Sequence, residues 1–102
     1  MVIQKNCEFI NGSSTPTVSK VYPNATADTL TLQIYGANGL YHLEGRNTSK
    51  GDWVSLAGID LNDFSAIRGG IKKPGIYEFG IIGIREIRVR VEVAEGEVSI
   101  FG

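Results

Sequence analysis

Few residues in this sequence can do covalent chemistry, and their spacing decides what each could do. There is one histidine, His42, and one cysteine, Cys7. A hydrolytic relay needs a nucleophile, an imidazole base and an orienting carboxylate. His42 stands between Tyr41 and Leu43 in an alternating segment, on the face opposite them, where a surface or rim histidine is expected. No Gly-x-Ser-x-Gly elbow is present. Cys7 reads as a structural thiol in a strand, because a nucleophilic cysteine would have to use His42 as its base. A single cysteine also excludes an internal disulfide and a zinc site built from thiolates.

Carboxylates are more plentiful. Glu44, Asp52, Asp60, Asp63, Glu78, Glu86, Glu92, Glu95 and Glu97 could supply pairs for glycosidase chemistry. Most fall at turns or on outward faces, where a solvated charge is the default. Asp60-Leu61-Asn62-Asp63 could offer oxygens to calcium, but it lacks the spaced loop of an EF-hand and reads as a turn or helix cap. Gly80-Ile81-Ile82-Gly83 has no helix after it, so a tight turn or bulge is expected in place of a phosphate loop. These readings predict no enzyme, no metal and no cofactor.

Binding chemistry has more candidates. Sugar-binding sandwiches use exposed aromatics with polar neighbours, and Trp53, Tyr35, Tyr41, Tyr22 and Phe64 are available. Trp53 is also the kind of lone tryptophan that packs between two sheets, and that packing is the expectation here. Arg68-Gly69-Gly70 and Lys72-Lys73-Pro74-Gly75 are loop chemistry, in the longest irregular stretch, from Leu61 to Pro74. The residues expected to touch a ligand or partner are Trp53, Tyr35, Tyr41, Phe64 and Arg68.

Arg85, Arg88 and Arg90 form a basic run near Arg68, Lys72 and Lys73, but Glu86 and Glu92 interleave it, as in cross-strand pairing on a solvated face. Ten Lys and Arg against eleven Asp and Glu leave a net charge of −1. No nucleic acid and no anionic membrane is therefore expected as partner. No run approaches the roughly 20 apolar residues of a membrane span. Met1 to Ile10 carries Lys5 and Glu8 and does not read as a signal peptide. The absence of disulfides favours a cytoplasmic assembly history. Asn24-Ala25-Thr26 and Asn47-Thr48-Ser49 match the glycosylation pattern but read as turns.

The elements that must position these residues are strands. Thirteen glycines punctuate short runs rich in Val, Ile, Leu, Tyr and Phe. Ile87, Val89, Val91 and Val93 alternate with Arg88, Arg90 and Glu92, which puts aliphatics on one face and charges on the other. The turn Ala94-Glu95-Gly96-Glu97 and the pair Val98, Ile100 complete an expected C-terminal hairpin. Leu30, Leu32 and Ile34 point inward on Thr29–Tyr35. After a turn at Gly36-Ala37-Asn38-Gly39 the chain comes back through Leu40–Arg46, with Tyr41 and Leu43 inward. Trp53–Ile59 and Ile76–Ile81 are further strands. Gln4–Ile10 and Thr17–Tyr22 are weaker ones, and Leu61–Phe64 could form one helical turn. Six to eight strands in 102 residues predict an all-β fold, an antiparallel two-sheet β-sandwich of jelly-roll or Ig-like type, with a small closed barrel as the runner-up. The chain reads as a single domain. Residues 1–24 form less regular strands or a docking arm, and residues 25–102 form the sandwich core.

Several segments share a pattern with a known group. They are Gly51 to Trp53, Gly75 to Phe79, Gly83 to Val89, and Gly96 to Val98. Over Leu43 to Phe101 the chain resembles small β-sandwich structural proteins of tailed bacteriophages or phage-tail-like particles. The resemblance implies a head decoration or fibre protein, or a baseplate or tail accessory. It implies phage structural proteins as partners, a homo-oligomer (a trimer by analogy), and a place on a virion or phage-like particle. It carries over no catalytic residue. A carbohydrate-binding module is the alternative.

Overall fold

The computed structural model describes residues 8–24 and 26–102. Cys7, the start of the Gln4–Ile10 strand and Ala25 lie outside the described residues. The described chain forms β1 (Glu8–Ser13), β2 (Thr17–Val18), β3 (Tyr22–Pro23), β4 (Thr29–Gly36), β5 (Gly39–Arg46), β6 (Val54–Ser55), β7 (Gly58–Asp60), β8 (Ala66–Ile67), β9 (Gly75–Gly80), β10 (Glu86–Ala94) and β11 (Val98–Phe101). One sheet runs β1-β11-β4-β9-β7-β8, and the other runs β2-β10-β5-β6, with β3 also paired to β10. Every strand pair is antiparallel. This is the two-sheet β-sandwich expected from the alternation.

Period-two patterning explains which faces meet. β4 turns Leu30, Leu32 and Ile34 inward, and β9 adds Tyr77 and Phe79 beside them. Val98 and Ile100 of β11 complete that layer. Tyr41 and Leu43 of β5, with Ile87, Val89 and Val91 of β10, face it from the second sheet. Burying each large aliphatic or aromatic side chain contributes about 1.5–3 kcal/mol before the ordering cost. Residues 8–24 border both sheets as β1, β2 and β3, and Phe9 and Ile10 enter the core.

Several local expectations fail for identifiable reasons. The C-terminal hairpin does not form, because β10 and β11 lie in different sheets. The turn at residues 36–39 likewise sends β4 and β5 into different sheets. Both connections are arches, and they lie side by side: Ala37 N donates to Glu97 O, and Glu95 N donates to Asn38 O. Gly36 makes the close approach possible. Its φ is +105°, and a Cβ there would overlap the Glu97 carbonyl.

Val93 is exposed, not inward. The register of β10 on β5 steps from Val91↔Tyr41 to Val93↔Leu40, so Glu92 is an extra residue in the ladder. Such a bulge reverses the in–out parity of everything after it. The expected Trp53–Ile59 strand is two short ones, β6 in one sheet and β7 in the other. Leu61–Phe64 forms a turn and no helix: Asp60 Oδ1 accepts from Asn62 N, and Phe64 N donates to Asp60 O. Asn24 is the anchor of its turn. Its Nδ2 reaches the carbonyls of Ala27, Ile81 and Ile84, and its Oδ1 accepts from Ala27 N.

Gly36→Ala should therefore lower stability by at least about 2 kcal/mol, through strained φ and a steric clash in the arch. Gly80→Ala, with nothing within 4 Å of the new methyl, should stay within about 0.5 kcal/mol of wild type. Urea unfolding of the two variants checks both values, and equal losses would show that the arch contact is not what Gly36 supplies.

Candidate functional site

Two outer faces remain once the core is closed, and they differ in chemistry. The outer face of the five-stranded sheet carries the titratable residues. In register across β5 and β10 stand Arg46 opposite Glu86, Glu44 opposite Arg88, and His42 opposite Arg90. Arg46 Nε donates to Glu86 at 2.8 Å. The Glu44 carboxylate accepts from Arg88 Nε at 2.8 Å and from Arg90 Nε at 2.9 Å, one arginine per oxygen.

Glu44 is only 5% exposed. Burial by itself would raise its carboxyl, but the hydrogen bonds and charges of Arg90 and Arg88 outweigh that, and the net displacement is below the usual 4.5. The hydrogen bond to Glu44 in turn raises Arg90 further above its ordinary range. The expectation of solvated carboxylates on outward faces is thus corrected at Glu44. Its fully charged pairing is what makes burial tolerable.

His42 is corrected in the same way. It does lie on the face opposite Tyr41 and Leu43, but it is only 6% exposed. Tyr41 and Ile71 exchange backbone hydrogen bonds and Gly39 N donates to Lys72 O, which lays residues 70–72 alongside β5. Gly70 sits so close that a Cβ there would lie 2.9 Å from the imidazole Cε1. His42 Nδ1 is hydrogen-bonded to Ser55 Oγ at 3.0 Å and Nε2 to Glu92 Oε1 at 2.9 Å. A carboxylate only accepts, so Nε2 carries the proton. That bond holds the Glu92 carboxyl below its usual value.

The order hydroxyl, imidazole, carboxylate is that of a hydrolytic relay, but the ring nitrogens are exchanged: in the relay the attacking hydroxyl sits on Nε2. Glu92 is also approached by Arg90 Nη1 at 3.4 Å. The imidazole here bolts β6, β5 and β10 together.

The expected contact residues separate. Trp53 does not pack between the sheets; it is half-buried on this outer face. The Arg46 and Arg88 guanidiniums lie 4.2 and 4.3 Å from its ring centroid. Tyr41 is buried, and its hydroxyl donates to Ala37 O, so it is not available to a ligand. Burial, with the Glu95 carboxylate second, pushes its phenol up. Tyr22 packs edge-on against Phe9.

Tyr35, 50% exposed, stands on the outer face of the six-stranded sheet, edge-on to Phe101. Phe64, 79% exposed, is at the tip of the β7–β8 turn, and Arg68 is exposed beyond β8. Sequence reasoning missed Ser55, Glu44 and Phe101 as members of these faces. The alternation of Glu44 with Leu43 signalled the outward side, but only the strand order shows that two arginines converge on it.

A protein-family model described as XepA matches residues 4–102. Among solved structures, the SPBc2 prophage-derived protein YomS superposes with a TM-score of 0.82 at 18% identity, over 99% of this chain and 95% of that one. The PBSX exported protein XepA superposes with a TM-score of 0.83 at 19% identity, over 95% of this chain and 36% of that one. This chain thus spans little more than a third of that protein's length. No curated protein matches in sequence. At these identities the structural likeness establishes a shared fold.

Glu44→Gln should cost about 2 kcal/mol, by leaving two arginines facing a neutral amide. A carboxyl depressed in the folded state contributes stability that is present above its unfolded value, near 4.5, and lost as pH falls through the folded value. Urea midpoints of the wild type should therefore drop more steeply than those of Glu44→Gln as pH falls below that value. Parallel pH profiles would rule out the pairing as the cause.

Proposed function

The chain belongs to the XepA family, and we propose that it is a non-enzymatic structural or accessory module of a phage or phage-derived particle, acting through protein–protein contacts. The observation that carries this reading is the match along almost the whole chain to the XepA family model, together with a fold shared with the SPBc2 prophage-derived protein YomS and the PBSX exported protein XepA. Fold alone does not fix function, so the site chemistry has to agree.

It does agree. The groups that could do acid–base work, His42, Glu44 and Glu92, are engaged in fastening β5 to its neighbours. What the molecule leaves outward is contact chemistry. Phe64 is the strongest case, with a φ of +61° that a bulky side chain avoids. A strained backbone that holds an aromatic ring in solvent is a feature of surfaces built for a partner. Val54 on the short edge strand β6 and Ile82 in the β9–β10 turn are exposed as well. Short edges and protruding apolar tips suit assembly into a closed homo-oligomer and docking on neighbouring particle proteins.

Size-exclusion chromatography with light scattering should show a discrete oligomer, and Phe64→Ser should weaken either that assembly or binding to particle proteins without lowering the unfolding midpoint. A strict monomer that binds no particle protein, in wild type and variant alike, would sink the proposal.

A further inference from the structure

The outer face of the six-stranded sheet differs from its counterpart in one respect that bears on ligands: it is almost uncharged. β4 presents Thr29, Thr31, Gln33 and Tyr35 outward, because Leu30, Leu32 and Ile34 face the core. The register places Ile76 of β9 and Phe101 of β11 on either side of Gln33, and Glu78 beside Thr31. Glu78, and Glu8 of β1 in register with Phe101 at the edge, are the charges on this face. We propose that this face is a binding site for a neutral glycan, a role that goes beyond the contact function above and does not depend on it.

Three observations argue for that occupant. First, the Tyr35 ring is half exposed and already oriented. Phe101 holds it at a centroid distance of 5.9 Å and an interplanar angle of 70°. A fixed aromatic face next to polar groups suits the apolar C–H side of a sugar ring and loses little side-chain entropy on binding. Second, the polar neighbours are the right kind. The Gln33 amide, the Thr31 hydroxyl and the Glu78 carboxylate supply donors and acceptors for hydroxyl groups. None of the three hydrogen-bonds another protein group among the described residues. Tyr35, Gln33 and Thr31 follow one another along β4 at intervals of about 7 Å, a track for an extended chain. Third, charge selects against the rivals. A polyanion such as nucleic acid would meet Glu78 and Glu8, neither of them ion-paired among the described residues, and a strongly basic peptide would find two carboxylates at opposite margins of the Tyr35–Gln33 track and no cluster. The opposite outer face, with its arginines and glutamates already paired, lacks both the free aromatic and the free hydrogen-bonding groups.

The test is a titration of isotopically labelled protein with chitohexaose, cellohexaose and maltohexaose, followed by amide NMR, with polyphosphate as the anionic probe. At least one hexasaccharide should shift the amides of Gln33, Tyr35 and Ile76 and leave the Trp53 indole unmoved. Tyr35→Ala, which removes a half-exposed ring from the outer face, should keep a dispersed spectrum and bind roughly tenfold more weakly or worse. The proposal is overturned if no hexasaccharide shifts this face at millimolar concentration, if Tyr35→Ala binds as wild type does, or if polyphosphate binds the same residues. It is equally overturned if Tyr35→Ala splits an oligomer, which would make the face a contact between copies; that outcome would leave the assembly role standing.

Discussion

Two adjacent chain crossings govern this architecture. Residues 36–39 and 94–98 each carry the chain from one sheet to the other, and the backbone hydrogen bonds between them keep the two crossings in step. Because the arches travel together, β4 pairs with β11 in one sheet while β5 pairs with β10 in the other. The core follows directly. The strands that face each other across the sandwich are those joined by the arches, and their alternate residues meet at its centre. Gly36 matters because the crossing leaves no room for a side chain between the two backbones.

The two outer faces then take up different physical roles. On the five-stranded sheet a ladder of opposite charges spans the most extensive strand pairing in the fold. Trp53 covers Arg46 and Arg88 of this ladder, and Gly70 lies against His42. Surface ion pairs contribute little when isolated. Here one carboxylate is shared by two guanidiniums and one imidazole is held at both nitrogens, so the ladder specifies register as well as adding stability. A one-residue slip of β5 on β10 would bring Glu44 out of reach of both arginines and turn Leu43 to the outside. The six-stranded sheet has no such ladder and can present its outer side chains to something else.

Much of this was legible in the sequence where burial is one-sided. Leu30, Leu32 and Ile34, or Tyr77 and Phe79, alternate because one face meets the core and the other meets water, and the pattern needs no knowledge of neighbours. Arch and hairpin were indistinguishable, because Ala94-Glu95-Gly96-Glu97 has turn chemistry suited to either; the choice is made by distant partners. The alternation also ran unbroken through Val93, since a bulge at Glu92 is a property of the pairing with β5 and not of β10 alone. Tyr41 lies inward as its alternation predicts, which removes it from the contact residues, whereas Trp53 lies outside against expectation. The tyrosine has an internal acceptor at Ala37 that satisfies its hydroxyl in the core. The indole finds two arginines on the outside that only strand order brings together. His42 and Glu44 read as exposed because nothing local reveals the strap that covers one or the arginines that converge on the other.

The place of β11 has a consequence for how the protein is made. Its residues, 98–101, are an interior strand between β1 and β4. During synthesis β1 is made well before β11, so β1 has no partner in its sheet until β11 has left the ribosome. The nascent chain must keep Phe9 and Ile10 from other company while all the strands between β1 and β11 are made, since contacts of such long sequence separation form late and slowly. A polypeptide cut short before residue 98 would lack the strand that joins β1 to β4. Pairing of β1 is therefore also a check that translation has run through β11.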